Sequence, residues 1–243
     1  MDEAVEYLRK NGQAKAEKKA SRIAAEGLCT VVVKDDKTAA VVEVNSETDF
    51  VAKNETFQQF VKAVAEQAVE SDAADMDAFM EEKWNEDPSK TVKDALVEKV
   101  AVIGENLKIR RFEKVVAANG CVVSYVHGGG RIGVIVEAET AVVNDAVMQI
   151  AALNPKYVSR DEISEEYISH EKEILLAQIM NDPKESQKPE KVINGMIEGR
   201  VSKELKEICL VDQVYVKAED GKQTVAKYLD EVSKAVGTPV SVK

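Results

Sequence analysis

Two runs of valine bracket short polar turns. Val31, Val32 and Val33 lead into Lys34-Asp35-Asp36-Lys37, and the chain returns through Val41, Val42 and Val44. β-Branched runs on both sides of a polar turn predict a hairpin. The same plan recurs where Val122–Val126 leads into His127-Gly128-Gly129-Gly130-Arg131 and returns through Ile132–Val136. After each hairpin the apolar spacing lengthens to a helical period. Phe57, Phe60, Val61, Val64 and Ala68 recur on one face of Asn54–Val69, and Val142–Leu153 repeats the change.

Gly27–Asn45 and Gly120–Glu137 therefore share one plan, about 93 residues apart. Further on, Val92, Leu96, Val97 and Glu98 recur as Val192, Met196, Ile197 and Glu198, 100 residues later, and each set leads to a strand-like run, Leu107–Val116 and Leu210–Lys217. Strand, strand, helices, strand, occurring twice, predicts an α+β fold of two repeated subdomains, each a small antiparallel sheet covered by helices. The larger second offset places extra residues within Pro155–Glu190. There Ile163, Tyr167, Ile168, Ile174, Leu175 and Ile179 trace a long helix toward Pro183, and Pro189 opens another through Ile193, Ile197 and Val201. These residues read as an inserted antiparallel helical hairpin, a coiled coil whose ~20-residue arms would be ~30 Å long, or as two ordinary helices packed on the sheet.

Composition narrows the function classes. The chain has 243 residues, 44% apolar and 32% charged, an ordinary globular balance. Aromatics are only 5%, which predicts a core of Val, Ala, Ile and Leu. No apolar run approaches the ~18 residues of a membrane span, and Met1–Lys10 lacks the pattern of a secretory signal. The expected location is cytoplasmic, with no membrane contact. Cys29, Cys121 and Cys209 are isolated and odd in number, which argues against disulfides and a zinc site and predicts buried, inert thiols. A net charge of −11 and a pI near 4.9 oppose direct nucleic-acid binding. The one basic cluster, Lys15, Lys18, Lys19 and Arg22, lies on an Ala-rich segment, Gln13–Glu26, that reads as a helix; it is either a solvated face or a partner contact.

Candidate chemistry is sparse. Gly128, Gly130 and Gly133 match a dinucleotide-binding fingerprint by spacing, but that motif needs a helix N-terminus after it, and here a strand follows. Hairpin-turn geometry is the expected reason for these glycines. His127 and His170 are the only histidines, and neither has a recognisable nucleophile motif near it. No enzymatic reaction, cofactor, metal site or nucleotide bound by the chain itself is expected. The least ordinary segment is Asn45-Ser46-Glu47-Thr48-Asp49-Phe50-Val51, where a strand gives way to a helix. Thr48 or Asp49 is an N-cap there, and Phe50 is either a buried hydrophobic staple or an exposed anchor for a partner's pocket.

At these residues a family resemblance becomes visible. Val44–Ala52 closely resembles the signature of elongation factor Ts, the nucleotide exchange factor of the GTPase elongation factor Tu. Asn11-Gly12 through Ala24–Gly27, Ile103-Gly104-Glu105-Asn106 before Ile109-Arg110-Arg111, Ser124–Gly128, Arg131–Val134 and Ala151–Tyr157 are similar to that family in the same order. The resemblance implies a guanine nucleotide exchange factor that binds GDP-loaded elongation factor Tu, disturbs its magnesium and phosphate site and releases GDP. It implies partner contacts by Thr48, Asp49, Phe50 and Val51, by Ile103 and Gly104, and by His127 and Gly128, with Asp49 and Phe50 entering between helices of the GTPase. It also implies an N-terminal helical segment over 1–26, left from a three-helix domain, and core subdomains over 27–118 and 119–243. The helical hairpin would occupy about 162–203, and the family pattern continues past Lys243 into a further strand and helix.

Overall fold

Both valine-flanked turns form hairpins in the computed structural model, which describes residues 12–243. The fold combines helices with small antiparallel sheets. The chain divides into two compact units between Val147 and Met148.

In the first unit, β1 (Glu26–Val33) and β2 (Thr38–Ser46) are joined by a turn that Asp35 closes, its carboxylate accepting from the amides of Lys37 and Thr38 at 2.8 and 2.7 Å. β5 (Lys108–Val116) adds antiparallel to β2, giving the order β1-β2-β5. Strand alternation turns Ala40, Val42 and Val44 to one face, against helix α3 (Glu55–Glu70). The helical period of α3 places Phe57, Phe60, Val61, Val64 and Ala68 on the facing stripe, all buried. Each of the Phe and Val side chains contributes about 1.5–3 kcal/mol of burial free energy. Helix α2 (Asp49–Ala52) lies between β2 and α3.

The expected core of Val, Ala, Ile and Leu is present, and a few aromatics fill its centre in the first unit. Phe57, Phe60 and Phe79 are fully buried, Trp84 nearly so, and Phe79 packs on Phe112 with ring centroids 4.6 Å apart. These phenylalanines and Trp84 supply the large side chains that fill the volume above a small sheet. Phe79 and Trp84 come from elements with no periodic signal, α4 (Met76–Glu81) and the short ribbon β3 (Lys83–Trp84) and β4 (Asp87–Thr91). α5 (Val92–Ile103) follows. It starts from a reciprocal capping box between Thr91 and Asp94 and ends at Gly104, which is left-handed at φ 87°.

The second hairpin, β6 (Cys121–His127) and β7 (Ile132–Ala138), lies within the first unit and packs with the first sheet. The reason lies in the valine run of β1, which is apolar at successive positions and so has two faces to cover. Ala39, Ala117 and Val122 form a small buried cluster on this side. The tip of the hairpin meets the β1 edge, where Gly130 O accepts from Cys29 N. A Cβ at Gly130 would stand 2.8 Å from Leu28, and one at Gly133 would stand 2.9 Å from Val41 and 3.3 Å from Cys29.

α6 (Asn144–Leu153) carries the chain past Val147. In the second unit, α7 (Glu165–Asn181) is capped by Ser164, and α8 (Glu190–Ile208) begins after Pro189. Between them Asp182 accepts from the amides of Lys184 and Glu185 at 2.7 and 3.1 Å. Ile179, Ile193, Ile197, Val201 and Leu205 are buried in one cluster. Tyr167 donates to Glu204 at 2.9 Å and Lys172 meets Glu198 at 2.7 Å, so the helices run in opposite directions. Burial and the Glu204 carboxylate together push the Tyr167 phenol up to about 12.

The strand expected over Leu210–Lys217 is absent. A 3-10 turn, Leu210–Asp212, stands there, followed by a lone bridge between Val214 and Thr224 ahead of α9 (Val225–Val236). Glutamine side chains take the place of a ladder. The fully buried Gln149 donates to Val214 O and accepts from Val216 N, while Gln213 donates to Glu207 O. Polar groups satisfied this way need no partner strand.

Candidate partner-binding site

The β2–α2 connection is built almost wholly from internal hydrogen bonds. Ser46, fully buried, donates to Thr48 O at 3.0 Å. Thr48 is the extended N-cap of α2, and its hydroxyl accepts from Val51 N at 3.4 Å. Across from it, the loop after Gly104 supplies Glu105. One carboxylate oxygen accepts from the amides of Glu47 and Thr48, both at 3.1 Å, and the other accepts from the Thr48 hydroxyl at 2.7 Å. Glu47 returns the bond, accepting from Asn106 N at 2.6 Å.

A third segment joins the same network. Asn106 donates to Arg22 O at 2.7 Å, and the Arg22 guanidinium stands 3.6 Å from Glu47. This corrects the reading of Gln13–Glu26 as one helix. α1 is helical over residues 12–19, and the chain turns at Arg22 before pairing in β1 from Glu26, held there by Asn106 and Glu47. Residues 1–11 of the expected N-terminal segment lie outside the described residues.

One side chain stands apart from this network. Val51 is half-buried against the main core and Ala52 is buried, whereas Phe50 is 81% exposed. Asp49 turns toward Lys53, 2.7 Å away, and that ammonium holds its carboxyl below the ordinary value. With Ile23 and Val102, Phe50 makes up the three most exposed large apolar side chains among the described residues. Ile23 adjoins Arg22, and Val102 lies two residues before Gly104. All three thus belong to segments tied by Glu105, Asn106 and Glu47. Ile103 is half-buried against the core, and Gly104 is exposed.

β2 reaches this site through an irregularity. Its pairing with β5 slips between Glu43 and Val44, so that Arg110 and Arg111 both face Glu43, at 2.8 and 2.7 Å. Burial alone would raise the Glu43 carboxyl, but the two guanidiniums and Asn45 hold it below its ordinary value.

Of the residues expected to contact a partner, Thr48–Val51 and Ile103–Gly104 are brought together through Glu105. His127 and Gly128 occupy the other hairpin's tip. There Tyr125 Oη and His127 Nδ1 lie 2.8 Å apart, Gly128 is left-handed at φ 61°, and His127 O accepts from Gly130 N and Arg131 N of the same hairpin. The fingerprint glycines lead into β7, with no helix N-terminus to bind phosphate. Among the described residues no three His, Cys, Asp or Glu side chains are grouped to hold a metal ion. Cys209 is buried, and Cys29 and Cys121 are half-buried rather than buried; desolvation raises all three thiols. No helix among the described residues is long and apolar enough to cross a membrane.

The family model for elongation factor TS matches residues 47–243. The elongation factor Ts of Clostridium novyi is 47% identical over 251 aligned residues, spanning 100% of this chain and 80% of that protein. The elongation factor Ts of Clostridioides difficile is 48% identical with the same coverage, and that of Halothermothrix orenii 45% over 95% of this chain and 78% of its own length. The chain belongs to the elongation factor Ts family. The family match opens at Glu47, the first residue of the turn that Glu105 holds. In this elongation factor Ts family member Glu47, Glu105 and Asn106, which shape the turn, were not among the sequence-derived contacts, and Arg22 was singled out only within the basic cluster. The local sequence signal of Glu105 and Asn106 is a polar pair set between a helix-ending glycine and a strand.

Proposed function

We propose that this chain is a guanine nucleotide exchange factor for elongation factor Tu, acting as a binding partner rather than an enzyme, in the cytoplasm. It binds the GDP-loaded GTPase, disturbs its magnesium and phosphate site, and promotes GDP release during translation elongation. The observation that carries this reading is Phe50, 81% exposed on a backbone whose polar groups are satisfied from within. A bulky aromatic presented to water on a fixed turn is the geometry of an interface anchor, which typically contributes ~2 kcal/mol or more.

Phe50 is the wedge in this account and Asp49 fixes its approach, with Thr48 and Val51 shaping the turn. Ile103 and Gly104 supply adjoining contacts, and His127 and Gly128 a separate one on the hairpin tip. The chemistry is linkage. A partner that binds the nucleotide-free GTPase better than the GDP-bound form weakens GDP binding by the same factor, with no covalent step.

The same proposal includes the repeated plan, with core subdomains over 27–118 and 119–243 and a coiled-coil insertion near 162–203. Gly27 and Gly120 support it. Both have positive φ, and a Cβ on either would collide with a strand carbonyl, Val44 O or Ala138 O, and stand 2.7 or 2.6 Å from the next Cα, Asn45 or Glu139. Titrating the chain into elongation factor Tu loaded with labelled GDP tests the function. Release that accelerates and saturates is expected. Binding without faster release would make the chain a scaffold and overturn the exchange reading.

A further inference from the structure

We propose that Glu105 is a positioning residue for this exchange, holding the Glu47–Phe50 turn so that Phe50 is presented already ordered; the inference rests on the reading of Phe50 given above. α2 has four residues, a single turn, which is too short to be stable by its own hydrogen bonds. Its cap bond from Val51 N to Thr48 is long, at 3.4 Å. The Asp49–Lys53 pair is solvent-exposed and adds little. Phe50 makes no anchoring contribution, because it stands in water.

Val51 and Ala52 pack in the core at the C-terminal end of the turn, and its N-terminal end is fixed from outside chiefly by one carboxylate. Glu105 takes the amides of Glu47 and Thr48 and the Thr48 hydroxyl, three donors on two successive residues. The bond from Asn106 N to Glu47, at 2.6 Å, locks the two loops reciprocally. The left-handed Gly104 reverses the chain so that Glu105 can face the turn. Charge-assisted bonds to backbone amides at a helix start are favourable in both strength and dipole sense. A residue held this way loses less conformational freedom on binding, which strengthens association without adding a contact to the partner.

A double-mutant cycle on stimulated GDP release, with Glu105→Ala, Glu105→Gln, Phe50→Ala and Glu105→Ala/Phe50→Ala, tests the proposal. Glu105→Ala is expected to weaken release by about tenfold, while Glu105→Gln, whose amide oxygen still accepts from both backbone amides, recovers most of it. In the Phe50→Ala background Glu105→Ala should change release by less than about twofold, since a residue acting through Phe50 has nothing left to position. Amide hydrogen exchange should show lost protection at Glu47 and Thr48, with the β1–β2 ladder unchanged. Full additivity of the two substitutions, or unchanged release in Glu105→Ala, overturns the positioning role while leaving Phe50 as the wedge. Normal release by Phe50→Ala alone would instead remove the reading on which the proposal stands, and the proposal with it.

Discussion

The Gly128–Gly133 hairpin and the Thr48–Phe50 turn each carry a motif that invites a functional reading, and the fold treats them in opposite ways. In the hairpin each fingerprint glycine has an internal reason. Gly128 and Gly130 adopt positive φ, Gly130 abuts Leu28, and Gly133 abuts Val41. Nothing is left over for a ligand to explain. In the turn, the backbone and the Thr48 hydroxyl are likewise satisfied, by Glu105 and Ser46, but the largest side chain has no internal partner. A motif points outward to the extent that internal packing fails to account for it, and by that measure Phe50 is the outlier.

The comparison can be broken at four sites, in order of expected effect on stability. Phe57, seven residues after Phe50 and fully buried, should cost ~3–5 kcal/mol when truncated to alanine, read from denaturant unfolding. Gly130→Val should cost about 3 kcal/mol through left-handed backbone strain and its collision with Leu28. A hairpin that tolerated valine at this position would lose its packing explanation, and saturable GDP binding by the unmodified chain in calorimetry would restore the phosphate reading. Thr48→Ala removes the α2 cap and one bond to Glu105, for about 1 kcal/mol in the same unfolding assay. Phe50→Ala should change stability by less than ~0.5 kcal/mol, as surface substitutions do.

Much of the first unit was legible because period-2 and period-3.6 patterns survive wherever one face is buried. The hairpins and the α3 stripe follow from that. α4 and the β3–β4 ribbon escaped because elements of two to six residues carry too few positions to show a period. Leu210–Lys217 misled because its apolar run resembles a strand, while the buried Gln149 that bonds to its backbone at Val214 and Val216 sits far away in sequence.

The candidate site divided along the same line. Thr48–Phe50 was visible as an unusual string, and the two readings of Phe50, staple or anchor, differ only in which way one side chain points. Sequence leaves both open; the placement of Val51 and Ala52 in the core turns Phe50 outward. Glu105 was unreadable as a partner of Thr48 because the pairing spans 57 residues.

The central claim is that Phe50 serves exchange and not folding, and one preparation of the Phe50→Ala variant tests it by melting and by stimulated GDP release from elongation factor Tu. The account predicts a melting transition indistinguishable from the parent chain and a loss of release of roughly thirtyfold or more, the equivalent of ~2 kcal/mol. Near-normal release from the folded variant, whether or not its melting temperature falls, would contradict it.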